Sequence, residues 1–125
     1  MKRFVLLPLV ALASLALAGP PIAVKIGELL DKPDTFNEKE VKTSGVVEEF
    51  HQRVSKIGNP YFVFKVEEKE KQVNVFGRGK LQTPLKSGQL VEIVGTFRKQ
   101  KMSGGNVFKN EIEVTTKTVK VLKPE

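Results

Sequence analysis

The chain has 125 residues, 40% of them hydrophobic, which suits one compact domain with its own core. It contains no cysteine, so disulfide staples and thiol chemistry are excluded and the core must hold the fold unaided. Lysine and arginine outnumber aspartate and glutamate by 21 to 14, a net charge of +7 that favours acidic partners. Lysine and glutamate are nonetheless interleaved along most of the chain, as on a solvated mixed surface.

Residues 1–18 read as a cleavable signal peptide. Lys2 and Arg3 form a positive start, residues 4–18 carry no charge, and Ala16-Leu17-Ala18 supplies the small residues of a cleavage site. The apolar run is shorter than the roughly 20 residues a membrane-spanning helix needs, so no stable membrane insertion is expected after cleavage. A retained anchor is the alternative, while a lipid-modified cysteine is excluded. The expected location is periplasmic or secreted. The cleaved chain would keep a net charge of +5, since Lys2 and Arg3 account for two of the +7.

Residues 19–39 form an N-terminal helix and turn. After Pro20-Pro21, Ile22, Ile26, Leu29 and Leu30 recur at near-helical spacing, predicting a short helix over 22–31 that Pro33 would stop. Residues 34–39 read as a polar turn, with Phe36 tucked back towards the core. The first predicted strand, 40–53, places Val41, Thr43, Gly45 and Val47 on one face, and Gly45 lets it bend. The turn SKIGNP over 55–60 leads to a second strand, 61–67, with Phe62, Phe64 and Val66 inward. An all-charged turn follows, then a third strand, 72–76, with Val73 and Val75 inward and Asn74 and Phe76 on the other face. Gly77-Arg78-Gly79 is expected to break that strand.

A connector over 80–87 closes at Gly88 and opens a fourth strand, 89–100, with Val91, Ile93 and Phe97 inward. Within it, Gly95 interrupts the alternation where a neighbouring strand must approach closely. Val94 is odd as an apolar outward residue; it marks an apolar patch or lies under the N-terminal helix. The tip MSGGN over 102–106 precedes a fifth strand from about 107, taking in Ile112, Val114 and the 115–122 tail.

Two glycine-kinked strands around a hydrophobic hairpin indicate a small, sharply coiled barrel. A long first strand, a connector between the third and fourth, and a closing fifth make an all-β, five-stranded OB-fold Greek-key barrel over 40–122. The sequence also resembles bacterial exported single-domain OB-fold proteins of the tRNA-anticodon-binding-like class. Leu29, Leu30, Pro33, Lys39, Val41, Gly45 and Val47 match that pattern, with Thr43 replacing a valine, and Gly88, Val91, Ile93 and Gly95 match its fourth strand. The resemblance implies a nucleic-acid-binding OB module, and its motifs speak to fold rather than to ligand.

Catalytic chemistry is sparse, so no enzyme is expected. His51 is the sole histidine, which leaves no His-based metal cluster, and no cofactor is expected. No nucleophile-elbow motif or phosphate-cradling glycine loop occurs. The pairs Glu48-Glu49 and Glu67-Glu68 point to opposite faces of a strand and cannot converge.

Binding fares better. OB barrels use the face of strands two and three together with the loops joining strands one–two and four–five. That surface would carry Tyr61 and Lys65, Asn74 and Phe76, with Arg78 at the strand end. Phe50, His51 and Arg53 stand at the first loop, and Arg98, Lys99 and Lys101 lead into the second. Aromatic rings beside cations are what a single-stranded nucleic-acid groove requires. Duller placements compete: Phe76 beneath the connector 80–84, Tyr61 capping the barrel, His51 idle in a loop, and the 98–101 cations protecting a strand edge.

The leading reading is therefore an extracytoplasmic binding module for single-stranded nucleic acid or another anionic polymer. The alternative is an assembly factor that binds an envelope protein. A haem-chaperone OB barrel ranks below both, because that family attaches haem through a histidine after the last strand and residues 110–125 contain none.

Overall fold

The computed structural model describes residues 19–123; the predicted signal peptide over 1–18 lies outside them. Two short helices and seven strands follow in order: β1 (Ile22–Ala23), α1 (Ile26–Asp31), α2 (Pro33–Phe36), β2 (Lys39–Val54), β3 (Pro60–Glu68), β4 (Lys71–Arg78), β5 (Leu90–Ser103), β6 (Asn106–Thr115) and β7 (Val119–Lys123).

The five long strands close on themselves in the circuit β2–β3–β4–β6–β5–β2. All pairs in it are antiparallel except β4 with β6, which run parallel. Alternation of side chains decides what lies inside. Val41, Val47, Phe62, Val66, Val91, Ile93, Phe97 and Ile112 are fully buried, each contributing about 1.5–3 kcal/mol by leaving water. Their neighbours in the alternation are mostly half-buried or exposed.

Closure depends on close backbone approach at two glycines. β2 serves both neighbours by changing partner at its middle: residues 39–46 pair with β5 and 46–54 with β3. A Cβ on Gly45, at that change, would stand 2.6 Å from the Glu67 carbonyl oxygen and from Val66 Cγ1. On β5, a Cβ on Gly95 would run into the Glu113 carbonyl of β6. Neither obstacle is a flexible side-chain end that could give way.

The open end of the barrel is plugged by α1, whose Ile26 and Leu29 are fully buried against β2, β3 and β4. Phe36 of α2 is buried as expected. The connector between β4 and β5 adds Leu81 and Leu85 to the same core.

Several boundaries depart from the sequence expectations. Ile22 and Ala23 form β1, parallel to Val41 and Lys42 of β2, and the helix starts only at Ile26. Pro33 stops α1 and also opens α2 at its first position, where a missing N–H costs nothing. Gly77 does not break the third predicted strand: β4 runs to Arg78, and Gly77 is buried beneath the Phe62 ring, which fills the space of its absent side chain. The chain turns at Gly79, with φ of 101°. The tail is no extension of β6, for a turn closed by Thr118 N–H donating to the Thr115 carbonyl sends β7 back along β5. Val94, half-buried, donates its N–H to the Thr118 carbonyl at the start of that return.

Two substitutions test this packing. Gly95→Ala should lower the unfolding free energy by about 3 kcal/mol, the upper part of the overpacking range, because the obstacle is backbone. Thr43→Val should raise it by about 1 kcal/mol. Thr43 is 4% exposed and its hydroxyl finds no hydrogen-bond partner among the described residues, so valine removes an unpaired polar group at constant shape. Urea unfolding of the two variants against the parent checks both.

Candidate nucleic-acid interface

The outer face of β3 and β4 is bounded by two turns that stand up beside it. The first, over 55–59, is locked by its own residues. Ser55 N–H donates to the Asn59 carbonyl, Asn59 N–H donates to Ser55 Oγ, and Gly58 takes a φ of 89°. Ile57 at its tip is 84% exposed. The second is the two-residue Gly104-Gly105 turn joining β5 to β6, with positive φ at both positions, as such hairpin turns require.

Between the turns lies an open groove of about 910 Å3. Its floor is an aromatic pair, Tyr61 from β3 and Phe76 from β4, with ring centroids 5.6 Å apart and planes tilted by 31°. The Lys101 ammonium lies 4.0 Å from the centre of the Phe76 ring, and the Arg78 guanidinium 5.6 Å from it. Both contacts are cation–π in geometry. Arg53 and Lys56 line the first wall and Phe108 the second.

Tyr61 is held in place by a glutamine. Gln52 Nε2 donates to the Tyr61 carbonyl at 2.7 Å and to the Gly79 carbonyl at 3.1 Å, while its Oε1 accepts from Leu81 N–H. One side chain thus ties β2, the start of β3 and the connector together behind the groove.

Of the residues singled out in the sequence, Arg53, Tyr61, Phe76, Arg78 and Lys101 meet in this groove. The others go elsewhere. Phe50 turns to the core side, its ring centre 6.2 Å from that of Phe62 and 6.1 Å from that of Phe64. The cause is a bulge between Glu48 and His51, with Glu49 at φ 55°, which shifts the alternation by one residue. Lys65 and Asn74 sit opposite each other on β3 and β4, outside the groove lining, and Lys65 lies 3.6 Å from Glu49. His51 is exposed on β2 opposite Val63.

Arg98 and Lys99 are tied to the scaffold. Arg98 bonds Glu113 at 2.6 Å and lies 3.7 Å from Glu38. Lys99 bonds Asp34 of α2 at 2.7 Å, and its N–H donates to Asn37 Oδ1. Phe76 faces the groove beside Tyr61, with Lys101 over its ring.

Sequence reasoning missed Lys56, Ile57, Phe108 and Glu111, all of which line the groove. Phe108 was within reach: a two-residue glycine turn at 104–105 sets the hairpin register and puts Phe108 opposite Lys101. Glu111 alternates with inward Ile112 and pairs with Asn74 of β4, so alternation put it on the outer face; that this part of the face borders the groove had no signal in the sequence.

No family model and no curated protein matches this chain. Solved structures do. A chain of the yeast Stn1 and Ten1 structure is similar over 85% of this chain and 65% of its own length, at 12% identity and TM-score 0.59. A putative aspartyl-tRNA synthetase from Leishmania major Friedlin is similar over 86% of this chain and 22% of its own, at 13% identity and TM-score 0.59. The OB domain of Ta0387 from Thermoplasma acidophilum is similar over 82% and 89%, at 17% identity and TM-score 0.51. With the closed strand circuit, these define the class: the chain is an all-β OB-fold domain. It spans less than two thirds of the yeast chain and under a quarter of the synthetase.

Gln52→Ala should lower stability by about 2 kcal/mol, since two carbonyls and an N–H lose their partner together. Amide hydrogen exchange should show the change concentrated at residues 60–62 and 79–81. Uniform acceleration across the barrel would contradict the positioning role.

Proposed function

We propose that this protein is an extracytoplasmic OB-fold binding module, not an enzyme, that takes single-stranded nucleic acid in the groove between the 55–59 turn and the β5–β6 hairpin. The observation that carries this reading is the Tyr61–Phe76 pair with Lys101 and Arg78 against it. Two rings side by side offer π-faces to successive bases, and cations within a few ångströms meet the phosphates between them. Arg53 and Lys56 on the first wall extend the positive track. The extracytoplasmic part rests on the composition of residues 1–18. Among the similar structures, the putative aspartyl-tRNA synthetase is by its name a protein that handles a nucleic acid, which agrees with the ligand class.

A protein partner is the second reading. Ile57, Met102 and Val107, all exposed on the two turns and the hairpin, favour it. Capture of an envelope protein that is lost on Ile57→Asp, with no oligonucleotide binding, would decide for it.

Tyr61 is the only tyrosine and the chain has no tryptophan, so intrinsic fluorescence reports on the groove directly. Titration with a short single-stranded DNA should quench that signal. The affinity should fall steeply with salt, as displaced counterions require. Phe76→Ala should weaken binding about tenfold or more, in line with about 1–3 kcal/mol per stacked base. Lys99→Ala should change it by less than about twofold, because Lys99 is not among the residues that line the groove. Absence of quenching at low salt, or affinity indifferent to salt, would rule the nucleic-acid reading out.

A further inference from the structure

One groove residue is wrong for a surface that only holds phosphates. Glu111 is 7% exposed, lines the groove, and is the acidic residue in a ring of cations. Its Oε1 takes the Lys101 ammonium at 3.0 Å, and the same ammonium sits 4.0 Å from the Phe76 ring centre. The carboxylate is thus joined to the Phe76 ring through a single ammonium group.

The arrangement is balanced as it stands. Lys101 neutralises a carboxylate that burial would otherwise penalise, and it covers the ring face that a base would use. A base stacking on Phe76 must displace the ammonium, which then turns to the phosphate backbone. Glu111 is left buried and unpaired unless the base itself returns N–H donors, and a buried acceptor without a partner penalises the complex. The groove therefore selects by exclusion as well as by attraction.

We infer that Glu111 is a specificity-determining residue that reads a guanine on the Phe76 shelf. The reason is donor count. A carboxylate accepts two parallel hydrogen bonds, and guanine carries two adjacent donors, N1–H and the N2 amino group, on its Watson–Crick edge. Cytosine and adenine offer one exocyclic amino group there, and thymine or uracil offers only N3–H. In a single strand that edge is free. The inference rests on the nucleic-acid reading of the groove, and it concerns which base occupies one subsite.

The test uses the full folded chain and an oligothymidine with one central substitution, read by Tyr61 quenching at fixed salt. Central dG should bind about tenfold tighter than central dA, dC or dT, within the discrimination that a bidentate contact supplies. Deoxyinosine, which keeps N1–H and lacks the N2 amino group, should lose most of that advantage. Glu111→Gln should bring the ratio of central-dG to central-dT affinity, measured within that variant, to about one. The inosine arm needs no variant and survives any folding defect in Glu111→Gln. Equal affinity for dG and dI in the parent protein overturns the role of Glu111. Failure of every oligonucleotide to bind overturns the nucleic-acid reading beneath it.

Discussion

The structure depends on the crowding of three strands at Gly95. On one side Gly95 pairs with Val41 of β2, and on the other its missing side chain leaves room for the Glu113 carbonyl of β6. Thr96 and Phe97, immediately after it, pair with both neighbours at once. This is the point where β5 stops being the wall shared with β2 and becomes the first arm of the β5–β6 hairpin. A side chain there would press β6 away and strain the parallel pairing of β4 with β6 on which closure depends. The groove would share that strain, because Phe76 lies on β4 and Lys101 and Phe108 on the hairpin.

That geometry explains why the site lies at this end of the molecule. The core fills the barrel up to Phe97, and beyond it the hairpin projects with Met102, Val107 and Phe108 exposed. Its footing is firm nevertheless. Arg98 is bonded to Glu113 across the two arms, and Lys99 is bonded to α2 through Asp34 and Asn37. The helices that plug the barrel thus also brace the wall of the groove. Opposite, Gln52 braces Tyr61 and the connector. The foot of each wall is thus tied to the barrel by side-chain hydrogen bonds. Such preorganisation limits what a ligand must order on binding.

The scaffold was far more legible in the sequence than the site, for a physical reason. Burial imposes a period of two, so Val41, Val47, Phe62, Phe64, Val66, Val91, Ile93 and Phe97 could be placed inside from alternation alone. Close approach demands glycine, so Gly45 and Gly95 announced the bend and the crossing. What alternation cannot show is where it slips. The positive φ at Glu49, within the bulge, carried Phe50 from the expected outer shoulder to the core side. Gly77 misled in the opposite sense: a glycine that looked like a strand end is a strand interior roofed by the Phe62 ring. A glycine marks the absence of a side chain, and whether a turn or a ring requires that absence is settled by the neighbouring strand.

Charge was the least legible feature, because a cation's role depends on which acid folding brings to it. Lys65, Arg98, Lys99 and Lys101 look alike in the sequence. In the fold, Lys65 faces Glu49, Arg98 and Lys99 tie strands and helix together, and Lys101 alone of the four bridges an acid and an aromatic ring of the groove. A net positive charge therefore says little about where a polyanion would sit. The discriminating property is a cation whose present partners a ligand can replace. Under the proposed function Lys101 satisfies it, since a base would take its place on the ring and a phosphate would pair with its ammonium. Arg98 does not, since pulling it away would leave Glu113 facing only the exposed Arg78 and would loosen the hairpin that forms the wall. Under the proposed function, the cation that a ligand would recruit first, Lys101, is therefore not one of the two, Arg98 and Lys99, that tie the hairpin to its surroundings.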